Sequence, residues 1–274
     1  MSCSKGTLKG PKEADWAMPT DLSLILIGLG IGFLVGLTGV GGGSLMTPIL
    51  VLVMGVPTAI AVGTDLVYSA VTRSLGAIVH FRLGTVKMDA VRWLSTGSVP
   101  SALVTTVIVG YFLKSAKHFT QGLITDALAA VLIFVAVSLL FKPVIESRFK
   151  LASISNRRGF AIGIGVLVGA LVALTSVGGG SLTIIALVVL FNTASTSELI
   201  GTDVFHAAIL SIVAAAAHIF IATVDFHIAI LLLIGSLPGV AIGSRMTVHV
   251  PDLLLRLGLA GTLGFVGIRL LAFA

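Results

Sequence analysis

Apolar residues fill this chain in long, continuous runs. About 20 such residues cross a bilayer core, and runs of this size lie at 59–81, 90–111 and 119–141. A second set lies at 197–221, 228–244 and 253–273. Each set is preceded by an apolar segment, 22–54 or 159–191, that carries glycine-rich words. The pattern lacks the short alternation of a membrane β-barrel. It predicts an all-α polytopic membrane protein.

Polar residues punctuate these runs. A polar tail occupies residues 1–20, and a basic linker, 142–158, separates a first membrane unit (21–141) from a second (159–274). Pro143 is expected to stop the helix before the linker. The linker holds Lys142, Arg148, Lys150, Arg157 and Arg158, which predicts a cytoplasmic location. The run after the tail has no cleavage motif following it, so it is expected to be a retained membrane segment.

The two units repeat one another. "LTGVGGGSL" at 37–45 returns as "LTSVGGGSL" at 174–182. Gly63-Thr64-Asp65 returns as Gly201-Thr202-Asp203, His80 as His218, and Thr85-Val86 as Thr223-Val224. Gly97-Ser98 and Pro100 return as Gly235-Ser236 and Pro238. Shared leucines would mean little among apolar helices, whereas a shared Gly-Thr-Asp in constant register means duplication. The loop with Arg82, Lys87 and Arg92 matches one that has Asp225 and neither lysine nor arginine. One loop then reads as cytoplasmic and its twin as external, which favours inverted repeats. Inversion requires each glycine-bearing segment to dip in and return. As one straight helix, residues 22–54 would span about 50 Å. A parallel eight-span arrangement is the alternative, and it keeps the lysine-bearing tail inside.

Composition sharpens this picture. The chain of 274 residues is 57% hydrophobic and 10% charged, with a mean hydropathy of +1.15. A soluble domain needs far more charge. The net charge of +6 comes from residues between apolar runs, so it marks topology and predicts no nucleic-acid partner. The single cysteine, Cys3, says nothing about redox compartment.

The chemistry begins at the glycines. A glycine costs about 1 kcal/mol against alanine inside a helix. Three in a row break it, and broken backbone inside a membrane needs polar partners. Ser44 and Ser181 are expected to cap the half-helices that continue. A helix N-terminus offers free N–H groups and the positive end of its dipole, an anion site. Gly41, Gly42, Gly43 and Ser44, with Gly178, Gly179, Gly180 and Ser181, are therefore the candidate substrate-binding residues. Thr38 and Thr175 stand beside them. The plainer reading, close helix packing, suits Gly28, Gly32 and Gly36, and the spaced glycines from Gly159 to Gly169.

Arg73 sits mid-span, where a cation must face a partner or a cavity. It either pairs with Asp65 or draws an anionic substrate, and Ser211 stands at its repeat position. For Asp65 and Asp203 the capping reading, with Thr64 and Thr202, is placed ahead of a proton- or cation-coupling role. His206, one turn after Asp203, adds to the coupling case. His80 and His218 are expected at span ends. No cysteine and no tight His/Asp/Glu cluster suggests a metal site, and no cofactor is expected.

With both glycine segments, "GLTGVGGGSLMTPIL" and "ALTSVGGGSLTIIAL", each followed by Gly-Thr-Asp, the chain resembles the sulfite exporter TauE/SafE family of bacterial permeases. The resemblance covers nearly everything after residue 20. It implies a cytoplasmic-membrane secondary transporter that exports sulfite or a small organosulfonate and catalyses no reaction. Ala173 and Ser176 replace Gly36 and Gly39 in the second motif, a gentler break. A homodimer is compatible with this reading. The rivals are a passive anion channel and an intramembrane serine hydrolase using Ser44 or Ser181. The duplicated serine argues against the hydrolase, which needs one nucleophile.

Overall fold

The computed structural model describes residues 20–38, 43–149, 157–177, 179–191, 194–221, 223–246 and 252–273. Among the described residues the secondary structure is helical, without strands. In chain order the helices are α1 (Asp21–Thr38), α2 (Gly43–Leu52), α3 (Thr58–Arg82), α4 (Met88–Ser115), α5 (Lys117–Phe149), α6 (Arg157–Thr175), α7 (Gly179–Leu190), α8 (Thr196–Phe220), α9 (Phe226–Met246) and α10 (Asp252–Phe273). Five stretches among the described residues are long and apolar enough to span a bilayer: Met88–Ser115, Phe119–Phe141, Arg157–Thr175, Ser197–Phe220 and Phe226–Gly243. Shorter apolar helices cover Asp21–Leu37 and Leu257–Ala272. The protein is a helical, multi-pass membrane protein.

Glycines set how closely the helices pack. A Cβ on Gly28 or Gly32 of α1 would strike the α9 backbone at Leu232 or Ser236. Gly165 and Gly169 of α6 press in the same way on Leu94 and Ser98 of α4. α1 thus runs parallel to α9, and α6 parallel to α4. Small residues that let backbones touch are how helices associate in lipid, where the hydrophobic effect gives no drive. Gly163 is different: its missing side chain faces open space.

α3 and α8 cross at the centre in opposite directions. Gly76 meets Val204, Phe81 stacks on Phe205 at 5.7 Å, and Gly63 lies against the Thr223 carbonyl beyond the end of α8. Gly201 lies against the Thr85 carbonyl beyond the end of α3. Two threonines close the same ends. Thr64 Oγ1 accepts from the Asp225 N–H at 3.0 Å, and Thr202 Oγ1 accepts from the Lys87 N–H at 2.9 Å. α5 and α10 also oppose each other, with Gly264 near Ala136 and Gly267 near Ile133.

Several local expectations need correction. α5 continues through Pro143 to Phe149. The proline removes only the bond to the Leu139 carbonyl. α2 and α7 start at Gly43 and Gly179, so Ser44 and Ser181 lie inside the first turns and not at the caps. Asp65 and Asp203 each stand two turns into their helices and cap neither. The start of α8 is capped by Ser195 in a box with Glu198, and at the start of α3 the Gln121 side chain accepts from the Ala59 N–H at 3.1 Å.

Candidate functional site

The second helix break is visible in detail. α6 ends at Thr175, whose hydroxyl bonds to the Leu171 carbonyl at 2.8 Å and contacts the Val177 backbone at 3.1 and 3.2 Å. Ser176 follows with φ 58°, a left-handed conformation that costs a non-glycine residue roughly 1–3 kcal/mol. The chain then reverses. A Cβ on Gly179 would sit 3.2 Å from Val172 and 4.0 Å from Val168. A straight helix would carry Gly179 about 16 Å beyond Val168. α7 therefore starts beside the last turns of α6.

His218 secures this turn. It is buried and not interfacial as expected. Its Nε2 donates to the Ala173 carbonyl at 3.0 Å, and its Nδ1 meets Thr223 Oγ1 at 2.9 Å. A carbonyl can only accept, so Nε2 carries a proton. α1 ends at Thr38 and α2 starts at Gly43, so the first expected break, at 39–42, lies outside the described residues. Gly41, Gly42 and Gly178 lie outside the described residues, while Gly43, Gly179 and Gly180 open the helices that follow.

Residues of α2 and of the turn after α6 approach Asp65. Thr47, in the half-helix α2 after the first break, donates to Asp65 Oδ2 at 2.5 Å. Ser69 donates to Oδ1 at 3.3 Å. Ser176, in the turn of the second break, faces the same carboxylate but closes no hydrogen bond. Asp65 is fully buried. Asp203 lies against the start of α7, where a Cβ on Gly180 would be 3.4 Å from its Oδ2.

Arg73 acts electrostatically on both carboxylates. It forms no ion pair with either among the described residues. Its Nε is enclosed and unbonded, as are Asp203 Oδ1 and His206 Nδ1. The other nitrogen of His206 meets Ser98 Oγ at 2.9 Å. On the other side Tyr68 and Ser236 face each other without bonding. Unsatisfied buried polar groups are rare and cost about 1–3 kcal/mol each. Several around one point mark a place built to receive something polar.

Sequence reasoning singled out Arg73, Asp65, Asp203 and His206, and the structure gathers them. It missed Thr47, Ser69, Tyr68 and Ser176. One signal was available: Tyr68 follows Asp65 by one turn, as His206 follows Asp203.

Apolar helices that enclose two carboxylates, a guanidinium and a histidine beside broken segments define a membrane transporter. The family model described as Sulfite exporter TauE/SafE matches residues 24–270, and the chain belongs to that family. It is 42% identical over 231 residues to "Probable membrane transporter protein YjnA" of Bacillus subtilis (strain 168), covering 82% of this chain and 90% of the relative. It is 25% identical over 252 residues to "Probable membrane transporter protein YdhB" of the same organism, covering 90% and 99%. A "Probable membrane transporter protein" of Haemophilus influenzae is 28% identical over 201 residues, 70% of each chain. No solved structure matches the chain.

Proposed function

We propose that the protein carries a small sulfur-containing oxyanion, sulfite or a short organosulfonate, outward across a bacterial cytoplasmic membrane. The observation that carries this reading is Arg73: a mid-span guanidinium whose buried Nε has no hydrogen-bond partner, with no ion pair among the described residues although Asp65 and Asp203 act on it electrostatically. Guanidinium geometry suits planar and tetrahedral oxyanions. Thr47 of α2 reaches Asp65 and Gly180 of α7 lies against Asp203, which supports a site completed by the N–H groups at the starts of these two half-helices. Thr175 serves it indirectly, since its hydroxyl is engaged in holding the turn.

The proposal includes two inverted repeats. Counterpart helices α3 and α8 run in opposite directions, as do α5 and α10. Contacts recur in exchanged pairs, Thr64 with Asp225 and Thr202 with Lys87. A twofold axis across these helices would lie in the membrane plane, and rocking one repeat against the other would alternate access.

Purified protein in liposomes tests the substrate class. Sulfite, sulfate, thiosulfate and short sulfonates are offered singly. Saturable flux of sulfite or a sulfonate is the expected outcome. Equal, unsaturable flux of every anion, or none of any, would reject the reading.

A further inference from the structure

We infer that Asp65 is the carboxylate of a sodium-ion site built at the end of α6. The inference deepens the transport reading by naming a coupling ion, and it rests on that reading only for the coupling. The binding itself can be measured alone.

A carboxylate with no exposed surface must be neutralised, because an uncompensated buried charge costs several kcal/mol. Among the described residues, no cation forms an ion pair with Asp65. Arg73, two turns on along the same helix, acts on it electrostatically without pairing. Asp203 and Tyr68 are the other titratable groups that face this region.

What does surround Asp65 is oxygen. Hydroxyls arrive from three separate elements: Thr47 from α2, Ser69 from α3 and Ser176 from the turn after α6. The Ser69 contact is long at 3.3 Å. Ser176 Oγ has no hydrogen-bond partner although the residue is only 2% exposed. It stands near the Asp65 carboxylate without closing a hydrogen bond of good geometry, on a backbone with φ 58°. An ion between them would bind both oxygens at once.

The backbone adds to this. α6 presents the negative end of its dipole here, although its Val172 and Ala173 carbonyls are already taken by the Ser176 N–H and His218 Nε2. Broken-helix carbonyl ends and a carboxylate are what secondary transporters offer to a monovalent cation. Hard oxygen donors exclude soft metals, and a single carboxylate beside Arg73 gives too little negative charge for a divalent ion.

The second half cannot build the same site. Ile184 stands where Thr47 would be, and Gly39 is the counterpart of Ser176. The account therefore calls for one sodium ion per chain.

The test uses the full-length, detergent-purified protein at fixed pH and ionic strength, without any sulfur anion. Thermal unfolding is followed as NaCl replaces KCl or choline chloride. A saturable rise in Tm with sodium alone is expected. Asp65→Asn should abolish the rise. Ser176→Ala should weaken sodium affinity at least tenfold while leaving the Tm in choline unchanged. Asp203→Asn should keep the response. If Asp65→Asn does not fold, Ser176→Ala decides alone. A Tm that follows pH but ignores sodium, or a sodium response intact in Ser176→Ala, would overturn the inference. Sulfite flux without a sodium response rejects only the sodium site. A sodium response without anion flux rejects only the anion reading.

Discussion

Replacing Arg73 with glutamine should reduce anion flux at least a hundredfold in liposomes while the protein still elutes as folded material. The proposed repeat offers no substitute, because Ser211 occupies the matching sequence position. Removing the guanidinium leaves Asp65 and Asp203 without the charge that acts on both, so an arriving anion meets repulsion. A hundredfold loss is about 2.8 kcal/mol at 1.4 kcal/mol per tenfold, within reach of one hydrogen-bonded charge. Arg73→Lys keeps the charge but loses the planar fork, and should fall between the two. Initial rates, normalised to reconstituted protein, make the comparison. Wild-type flux in Arg73→Gln would remove this residue from the site.

The largest effect on stability is expected at Gly235. A Cβ there would press on the Ile25 carbonyl, with the Leu29 amide close behind. Both are backbone atoms of α1 and cannot rotate away. Gly239 and Gly243 meet Leu29 and Phe33 in the same manner, so α1 and α9 are in contact along much of their length. Overpacking typically costs 1–3 kcal/mol, and more where nothing yields. Gly235→Ala should lower Tm by about 5 °C or more, from roughly 2–4 °C per kcal/mol at this size. Gly30→Ala is the control. Nothing lies within 4 Å of its added methyl, and helix propensity favours it by about 1 kcal/mol. Equal Tm values for the two variants would contradict the close approach of these helices.

How far could the chain be read in advance? Apolar runs announced the helices because bilayer thickness sets their length. The second glycine word announced a break, but α6 already ends at Thr175, before the triplet, and Gly179 and Gly180 open α7 as helical residues. Arg73 and Asp65 stood out because charge is expensive there. Thr47 and Ser176 did not, since a threonine or serine in an apolar run commonly bonds its own helix. Only the fold brings them to Asp65 from segments more than a hundred residues apart. His218 misled for a related reason. Its position near the end of a span suggests water, but α6 covers it and uses it to hold a carbonyl. The capping reading of Asp65 and Asp203 failed because α3 and α8 begin two turns earlier than the Gly-Thr-Asp words suggest. Thr64 and Thr202 do act as acceptors for backbone N–H groups, but on connectors of the opposite unit.

The central claim is a carrier whose single anion site alternates between two faces. Counterflow of labelled sulfite into liposomes preloaded with unlabelled sulfite tests it most directly. A carrier accumulates label transiently because inward and outward steps share one site. The account predicts that overshoot for the wild type and its loss in Arg73→Gln. Label that simply equilibrates at the same rate with or without preloading would mean a passive pore and contradict the account.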